Sequence, residues 1–337
     1  MKILYLDDYG IKLGADGTSL KLISKKEEKI IPLWEIDLVV VSSTGISITS
    51  KALNLLAKAG IELVITDPRG SPLSMTYFSH YSRTPDTRRA QYLASFNYIG
   101  VEIAASLISC KICSQSKALG RLSNYYNLNG YQKELESISK KVFDEVKGLS
   151  IDEARKKLLE IEATAARSYW GAISRALPKN LDFINRDQDG GDPLNAALNY
   201  GYSILYSLGF RALILSGLDP YAGYMHVDRS GKPVLVFDYI EQFRAPIVDE
   251  AILRGIARGY DIRLNSDKLL DKESKRNVLK LINERLKEQA VNAYRPMSFE
   301  ESIKEYAFRL AKSLREGSMY FCYNFPRGDK VDVISNL

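Results

Sequence analysis

The sequence predicts an α+β protein, with a small N-terminal β-rich domain followed by a larger all-α domain. Short β-prone runs crowd the first 78 positions, and long apolar patterns of helical period fill the remainder. The length of 337 residues is long for one compact core and comfortable for two domains. The expected division is residues 1–78 as the β-rich domain, 79–86 as a linker, and 87–337 as the helical domain.

In chain order, Ile3–Leu6, Ser19–Ile23, Lys29–Pro32 and Leu38–Val41 read as strands, separated by Gly, Asp, Ser and Lys clusters that read as turns. Ser50–Ala59 has the pattern of one helix, stopped by Gly60, and Ile61–Thr66 is a further apolar strand. The stretch Asp67-Pro68-Arg69-Gly70-Ser71-Pro72 is dense in turn formers. Helical patterns then cover 86–117, 131–147, 150–172, 192–216, 246–258, 272–293 and 298–315. Asp192 followed by Pro193 marks the start of the fourth, and Ser298 with Glu301 forms a capping box at the last.

Hydrophobic residues make up 45% and charged residues 26%, which excludes a disordered chain. No apolar run approaches the ~20 residues a membrane span needs, and Asp7 and Asp8 come too early for a signal peptide. The expected location is the cytoplasm, without a membrane partner. The net charge of +6 suits a nucleic-acid partner, because phosphates are bound by Lys and Arg. Three cysteines, Cys110, Cys113 and Cys322, argue against a disulfide framework. Cys110-Lys111-Ile112-Cys113 lies in a helical pattern without a second pair. It reads as buried small side chains rather than zinc ligands.

One carboxylate is out of place. At about 100° per residue, Ile151, Ala154, Leu158, Glu162, Ala165 and Tyr169 share one helical stripe, with Glu162 near its centre. Glu160 falls on the opposite face. A carboxylate in an apolar stripe is costly unless compensated. Three readings stand open for Glu162: a buried ion pair, an exposed edge of the stripe, or a metal ligand.

A second cluster surrounds His226. It follows the turn-rich stretch Gly217–Met225, and Asp238 and Glu241 lie 12 and 15 residues further on. Pro233 before the run, and Phe243-Arg244 then Pro246 after it, suit a short helix over 234–244. On a helix, Asp238 and Glu241 are i,i+3 neighbours that repel unless a cation lies between them. A His with two acids makes a mixed N/O donor set suited to Mn²⁺ or a partly hydrated Mg²⁺. The structural alternative pairs the acids with Arg244 and leaves His226 to cap a turn.

These residues resemble the signature of the CRISPR-associated integrase family ("Cas-one"), which captures foreign DNA as new spacers. The resemblance rests on Gly223-Tyr224-Met225-His226, on Asp238-Tyr239-Ile240-Glu241-Gln242-Phe243-Arg244-Ala245-Pro246, and on Glu162-Ala163 with Tyr169-Trp170. It rests also on the run Asp192–Tyr202, which matches the family's Asp-x-Asn-x-x-Leu-x-Tyr-Gly-Tyr helix. Three motifs in the right order extend it over nearly the whole chain. Ala163 where the family often has Gly, Tyr239-Ile240 where Leu-Met is common, and Ala245 before Pro246 touch the subtype, not a ligand.

The resemblance implies an all-α catalytic domain with Glu162, His226 and Glu241 as metal ligands and Asp238 as the neighbouring acid. It implies Mg²⁺ or Mn²⁺ as cofactor, and transfer of a DNA 3′-hydroxyl onto a phosphodiester of the repeat or the reverse cleavage of branched DNA. It also implies a homodimer through the N-terminal domain, joined with a small partner ("Cas-two") into a heterohexamer. Asp238 is placed to orient His226 or a metal-bound water. Arg83, Arg88, Arg89, Lys232 and Arg244 are the candidate DNA contacts, with Lys156 and Lys157 behind them, and Tyr81 and Tyr169 are candidate stacking residues. Asn195 is a candidate hydrogen-bond support for the site. A structure-selective DNA nuclease without a CRISPR role and a non-catalytic DNA-binding scaffold are the competing readings.

Overall fold

A computed structural model describes residues 3–24, 27–36, 38–67, 72–76, 85–128, 130–227, 229–291 and 295–324. The predicted α+β architecture is observed. Among the described residues, eight strands precede residue 76 and nine of the ten α-helices begin at residue 85 or later. The strands are β1 (Ile3–Leu6), β2 (Lys12–Asp16), β3 (Ser19–Ile23), β4 (Glu28–Pro32), β5 (Leu38–Val41), β6 (Ser47–Ile48), β7 (Glu62–Thr66) and β8 (Pro72–Met75). They form two four-stranded sheets, ordered β1-β5-β7-β8 and β4-β3-β2-β6. The first is parallel through β7, with β8 antiparallel at its edge.

Strand alternation explains the layering. Leu6, Val39 and Leu63 point to one side and pack with Leu13, Leu20 and helix α1 (Ser50–Ala59). Leu38, Val40 and Val64 point to the other, where Ile3 and Tyr5 join them and reach the helical core. The first sheet is thus covered on both faces, which is why all four residues of β5 are buried. Glu62 on β7 pairs with Arg211 at 2.5 Å across this junction. Burial, outweighing Arg211, pushes the Glu62 carboxyl up to about 7.

The helices are α2 (Pro85–Ala94), α3 (Tyr98–Leu122), α4 (Tyr131–Val146), α5 (Ile151–Ala176), α6 (Pro193–Leu215), α7 (Val234–Phe243), α8 (Glu250–Ala257), α9 (Lys272–Lys287) and α10 (Phe299–Glu316). Both Ser150 with Glu153 and Ser298 with Glu301 form capping boxes, and Asp192 caps α6 ahead of Pro193. α3 and α6 are buried on nearly every face and form the centre of the larger core.

Several expectations are corrected. The single helix expected over 86–117 is two helices meeting at 88°. Asn97 caps the second by accepting from the Ile99 N–H, and a Cβ at Gly100 would meet the Ala94 carbonyl oxygen at 2.3 Å. Residues 85 and 86 begin α2 rather than ending a linker, since Pro suits a first helical turn. Residues 77–84 of that linker lie outside the described residues. Pro72 begins strand β8 where only a turn was expected, and Lys12–Asp16 pairs fully with β3 despite its weak alternation.

No new helix starts at Pro246. The chain runs from α7 through a π-helical segment, Arg244–Asp249, directly into α8. A proline deprives the carbonyl four residues earlier of its helical donor. Here that carbonyl belongs to Gln242, and the Ser114 hydroxyl donates to it at 3.0 Å. The expectation against disulfides also fails. Cys110 on α3 is bonded to Cys322, 212 residues away, a proximity that sequence spacing does not encode, while Cys113 is free and buried. Among the described residues no single helix is long and apolar enough to cross a membrane.

Candidate active site

Four elements converge on one acidic cluster. α5 contributes Glu162, α7 contributes Glu241, the loop before α7 contributes His226, and α3 contributes Lys111. On α5 the predicted stripe faces inward: Ala154, Leu158, Ala165 and Tyr169 are buried, and Glu162 and Ile151 are half-buried. Of the three readings open for Glu162, the ion pair is what the structure contains, with the Lys111 ammonium as its partner.

The same ammonium lies 2.8 Å from Glu241 Oε2, so one lysine bridges carboxylates from two helices. Arg244, one turn along from Glu241, pairs with its other oxygen at 2.8 Å. Burial pushes the Glu241 carboxyl up, but Arg244 and Lys111 more than offset this and hold it below its ordinary value. Burial pulls the Lys111 ammonium pKa down, but Glu241 and Glu162 more than offset this and keep it above the ordinary value.

α7 is helical, so Asp238 and Glu241 share a face, but they have different tasks. Asp238 is closed off from solvent and organises the loop. Its Oδ2 accepts from the backbone N–H groups of Tyr224 and Met225 at 2.7 and 2.9 Å. Its Oδ1 accepts from the His226 N–H at 3.1 Å and meets His226 Nδ1 at 2.5 Å. Gly223 permits this approach, because a Cβ there would lie 2.8 Å from Asp238 Oδ2. The hydrogen bond to Asp238 raises the His226 pKa against the opposing effect of burial, and Asp238, Glu241 and Glu162 add to the rise through their charge. Asp238 holds the ring through Nδ1 and so leaves Nε2 as the nitrogen available to a ligand.

Two carboxylates that already share a cation, with an imidazole whose second nitrogen is held, are donors of the kind a divalent ion takes. Glu241 Oε2 already faces a cation, the Lys111 ammonium at 2.8 Å, as a metal-binding carboxylate oxygen does. Among the described residues no three His, Cys, Asp or Glu side chains close around one point, since Lys111 stands between the acids.

Behind the acids lies a second network. Tyr169 and Tyr202 both donate to Asp249, at 3.0 and 2.5 Å. Burial raises the Asp249 pKa against these hydrogen bonds. Tyr169 is fully buried, so it supports the site from within rather than stacking on bases. Asn195 supports the loop before α6. It accepts from Arg186 and from the Asp187 N–H, and donates to Asp192 and to the Asn185 carbonyl.

The candidate DNA contacts separate. Arg244 is inside the site. Lys232 is exposed on the turn that leads into α7. Arg89 is exposed on α2 and faces Asp86 at 3.4 Å, while Arg88 beside it is half-buried. Lys156 is exposed and Lys157 pairs with Glu145. Arg83, Tyr81 and His80 lie outside the described residues.

Sequence reasoning missed Lys111, Arg186 and Asp249. Lys111 carries the same signal as Glu162, a charge within the apolar run Ile103–Cys113, with a cysteine on either side of it in the motif.

Residues 4–284 match the family model for CRISPR associated protein Cas1. A "CRISPR-associated endonuclease Cas1 2" of Saccharolobus solfataricus is 32% identical over 323 residues, covering 95% of this chain and 97% of the relative. Among solved structures, a casposase bound to its integration product superposes with a TM-score of 0.84 at 26% identity, covering 99% of this chain and 97% of that one. A Cas6-RT-Cas1–Cas2 complex gives 0.75 at 20% identity, with 97% of this chain on 36% of the other, a likeness of fold. The matched span contains all four elements of the acidic cluster, and the chain belongs to the Cas1 family of CRISPR-associated proteins.

Proposed function

We propose that this protein is a metal-dependent DNA endonuclease and integrase, which inserts captured DNA into a CRISPR array by transesterification and reverses the reaction on branched DNA. The convergence of Glu162 and Glu241 on one cation, beside a histidine locked by Asp238, carries this reading. The names of its relatives, endonuclease among the Cas1 proteins and integration product for the casposase, support it.

Glu162, His226 and Glu241 would hold the ion, Mg²⁺ or Mn²⁺. When bound, such an ion supplies Lewis acidity at a phosphate and stabilises charge on the attacking or leaving oxygen. The chain's own residues do the positioning. Asp238 fixes the His226 tautomer and ring plane. Arg244 balances Glu241 and brings a guanidinium to the edge of the site, where phosphate charge develops. Lys111 holds the two acids together at the cluster's centre.

For assembly, we propose double-stranded and branched DNA as substrate, a homodimer formed through the two-sheet domain, and a Cas2 partner in a heterohexamer. The fold likeness to a Cas1–Cas2 complex is in keeping with the last.

The test is cleavage and strand joining on branched DNA with Mn²⁺, Mg²⁺ or EDTA, comparing wild type with Glu162→Gln and His226→Ala. Activity that needs the ion and falls at least 100-fold in both folded variants is expected, in line with loss of metal ligands or charge-stabilising groups. Undiminished activity in both variants would overturn the assignment.

A further inference from the structure

Glu241 also lines a cavity of about 380 Å³. That volume falls at the small end of ligand sites and suits one nucleotide. Its charged lining is Lys111, Arg167, Arg186, Arg244, Glu241 and Asp249, four cations against two carboxylates. Ala163, Ala166, Ala245 and Trp170 supply an apolar wall.

The cations are not equivalent. Lys111 and Arg244 are matched by Glu162 and Glu241. Arg186 takes neutral partners among the described residues: Asn195 Oδ1 at 2.8 Å, Asn199 Oδ1 at 2.5 Å and the Asp187 carbonyl. Its charge is held in place by these neutral groups, and the buried Asp249 carboxylate acts on it without an ion pair among the described residues. The guanidiniums of Arg186 and Arg244 lie over the same aromatic ring, 5.3 and 4.8 Å from the centroid of Tyr202. Tyr202 is fixed in turn by its hydrogen bond to buried Asp249. Two planar forks are therefore held against one aromatic ring, in a lining where four cations face the carboxylates of Glu241 and Asp249. That arrangement recognises a phosphate oxygen pair and disfavours a carboxylate-lined cation site.

We propose that this cavity seats one nucleotide of the reacting DNA strand, its phosphate held by Arg186 beside Arg244 and its sugar or base against Ala163, Ala166 and Trp170. The proposal rests on the DNA-processing reading and adds a substrate subsite to it. The seated phosphate is a neighbour of the reacting one, held so that the reacting phosphodiester lies over the acids. Arg186 is thus a positioning residue.

The test walks a single methylphosphonate, which removes one phosphate charge, along the strand on either side of the reacting bond of a branched DNA. Binding is read by fluorescence anisotropy in EDTA at one fixed salt concentration, so it does not depend on turnover. Wild type, Arg186→Ala and Arg186→Lys are compared after matched thermal melts. The expected result is one position that weakens wild-type binding about 10-fold when neutralised. The same position matters less than 2-fold in Arg186→Ala and intermediately in Arg186→Lys. A walk that is flat in wild type, or identical in wild type and Arg186→Ala, overturns the subsite. Cleavage and joining are measured separately with Mn²⁺. Inactivity with the position-specific penalty intact would remove the enzyme reading and leave the subsite standing, whereas activity with a flat walk would do the reverse.

Discussion

Asp238→Asn is the perturbation that most directly probes how the histidine loop is held. The carboxylate accepts four hydrogens, two at each oxygen, and is sealed from solvent. An amide keeps one acceptor oxygen only. If that oxygen faces His226, the NH₂ group confronts the N–H groups of Tyr224 and Met225. If it faces those two, the NH₂ group confronts the His226 N–H and forces the ring to present Nδ1 as an acceptor, which moves the proton to Nε2. The first orientation loses two hydrogen bonds and the second loses one and reverses another, each contributing about 1.5–3 kcal/mol, so the expected loss is about 2–4 kcal/mol. That is a large part of the 5–15 kcal/mol that stabilises an ordinary protein. Urea denaturation followed by circular dichroism measures it directly. His226→Ala provides the comparison, because it removes one partner and leaves the three backbone donors in place, and it should cost clearly less. A loss below about 1 kcal/mol in Asp238→Asn, or an equal loss in His226→Ala, would refute the account of Asp238 as the organiser of the loop.

Two further outcomes follow from buried polar groups. For Glu62, burial raises the folded-state value from 4.5 to about 7. Between those values the folded protein keeps a proton that the unfolded chain has released, so this group's contribution is full below 4.5 and is lost as pH rises through 7. The loss is of order 3 kcal/mol, and Glu62→Gln flattens the stability-against-pH curve over that window in urea titrations; an unchanged slope would show that Arg211 keeps the carboxylate ionised. Ser114→Ala strips the Gln242 carbonyl of its donor and Asn324 of an acceptor, at a cost of about 1–3 kcal/mol in the same assay. No measurable cost would mean that water satisfies both groups.

The fold was legible where one residue type carried one instruction. Periodicity found the long helices, and Asp192-Pro193 and Ser298 placed two of their starts within a residue. The corner at Gly100 was hidden because apolar periodicity continues across it, and only a carbonyl brought close by the bend requires the glycine. Of the site, Glu162 declared itself as a charge in an apolar stripe, and the i,i+3 spacing of Asp238 and Glu241 brought them to one helical face. Their separate tasks were not legible. Which acid binds the loop and which meets Lys111 depends on the path of residues 217–233, a turn-rich segment with no repeat to read. The Cys110–Cys322 bond and the Arg186–Tyr202 contact likewise join segments whose meeting is a product of tertiary packing.

The π-helical segment has a consequence for how this chain can change length. An α-helix advances about 100° per residue, so removing one residue from 244–249 would turn everything before it by that angle relative to everything after it. Upstream, Glu241 must face Lys111 and Arg244; downstream, Glu250 must face Arg121 and Arg285, at 2.6 and 2.9 Å. Both ends are anchored by buried charge, so neither can rotate to absorb the difference. A one-residue insertion or deletion here strands a carboxylate, whereas the exposed turn at 229–232 has slack to take one. The segment works as a phase-setting spacer, and its length is as much a part of the acidic cluster as the acids.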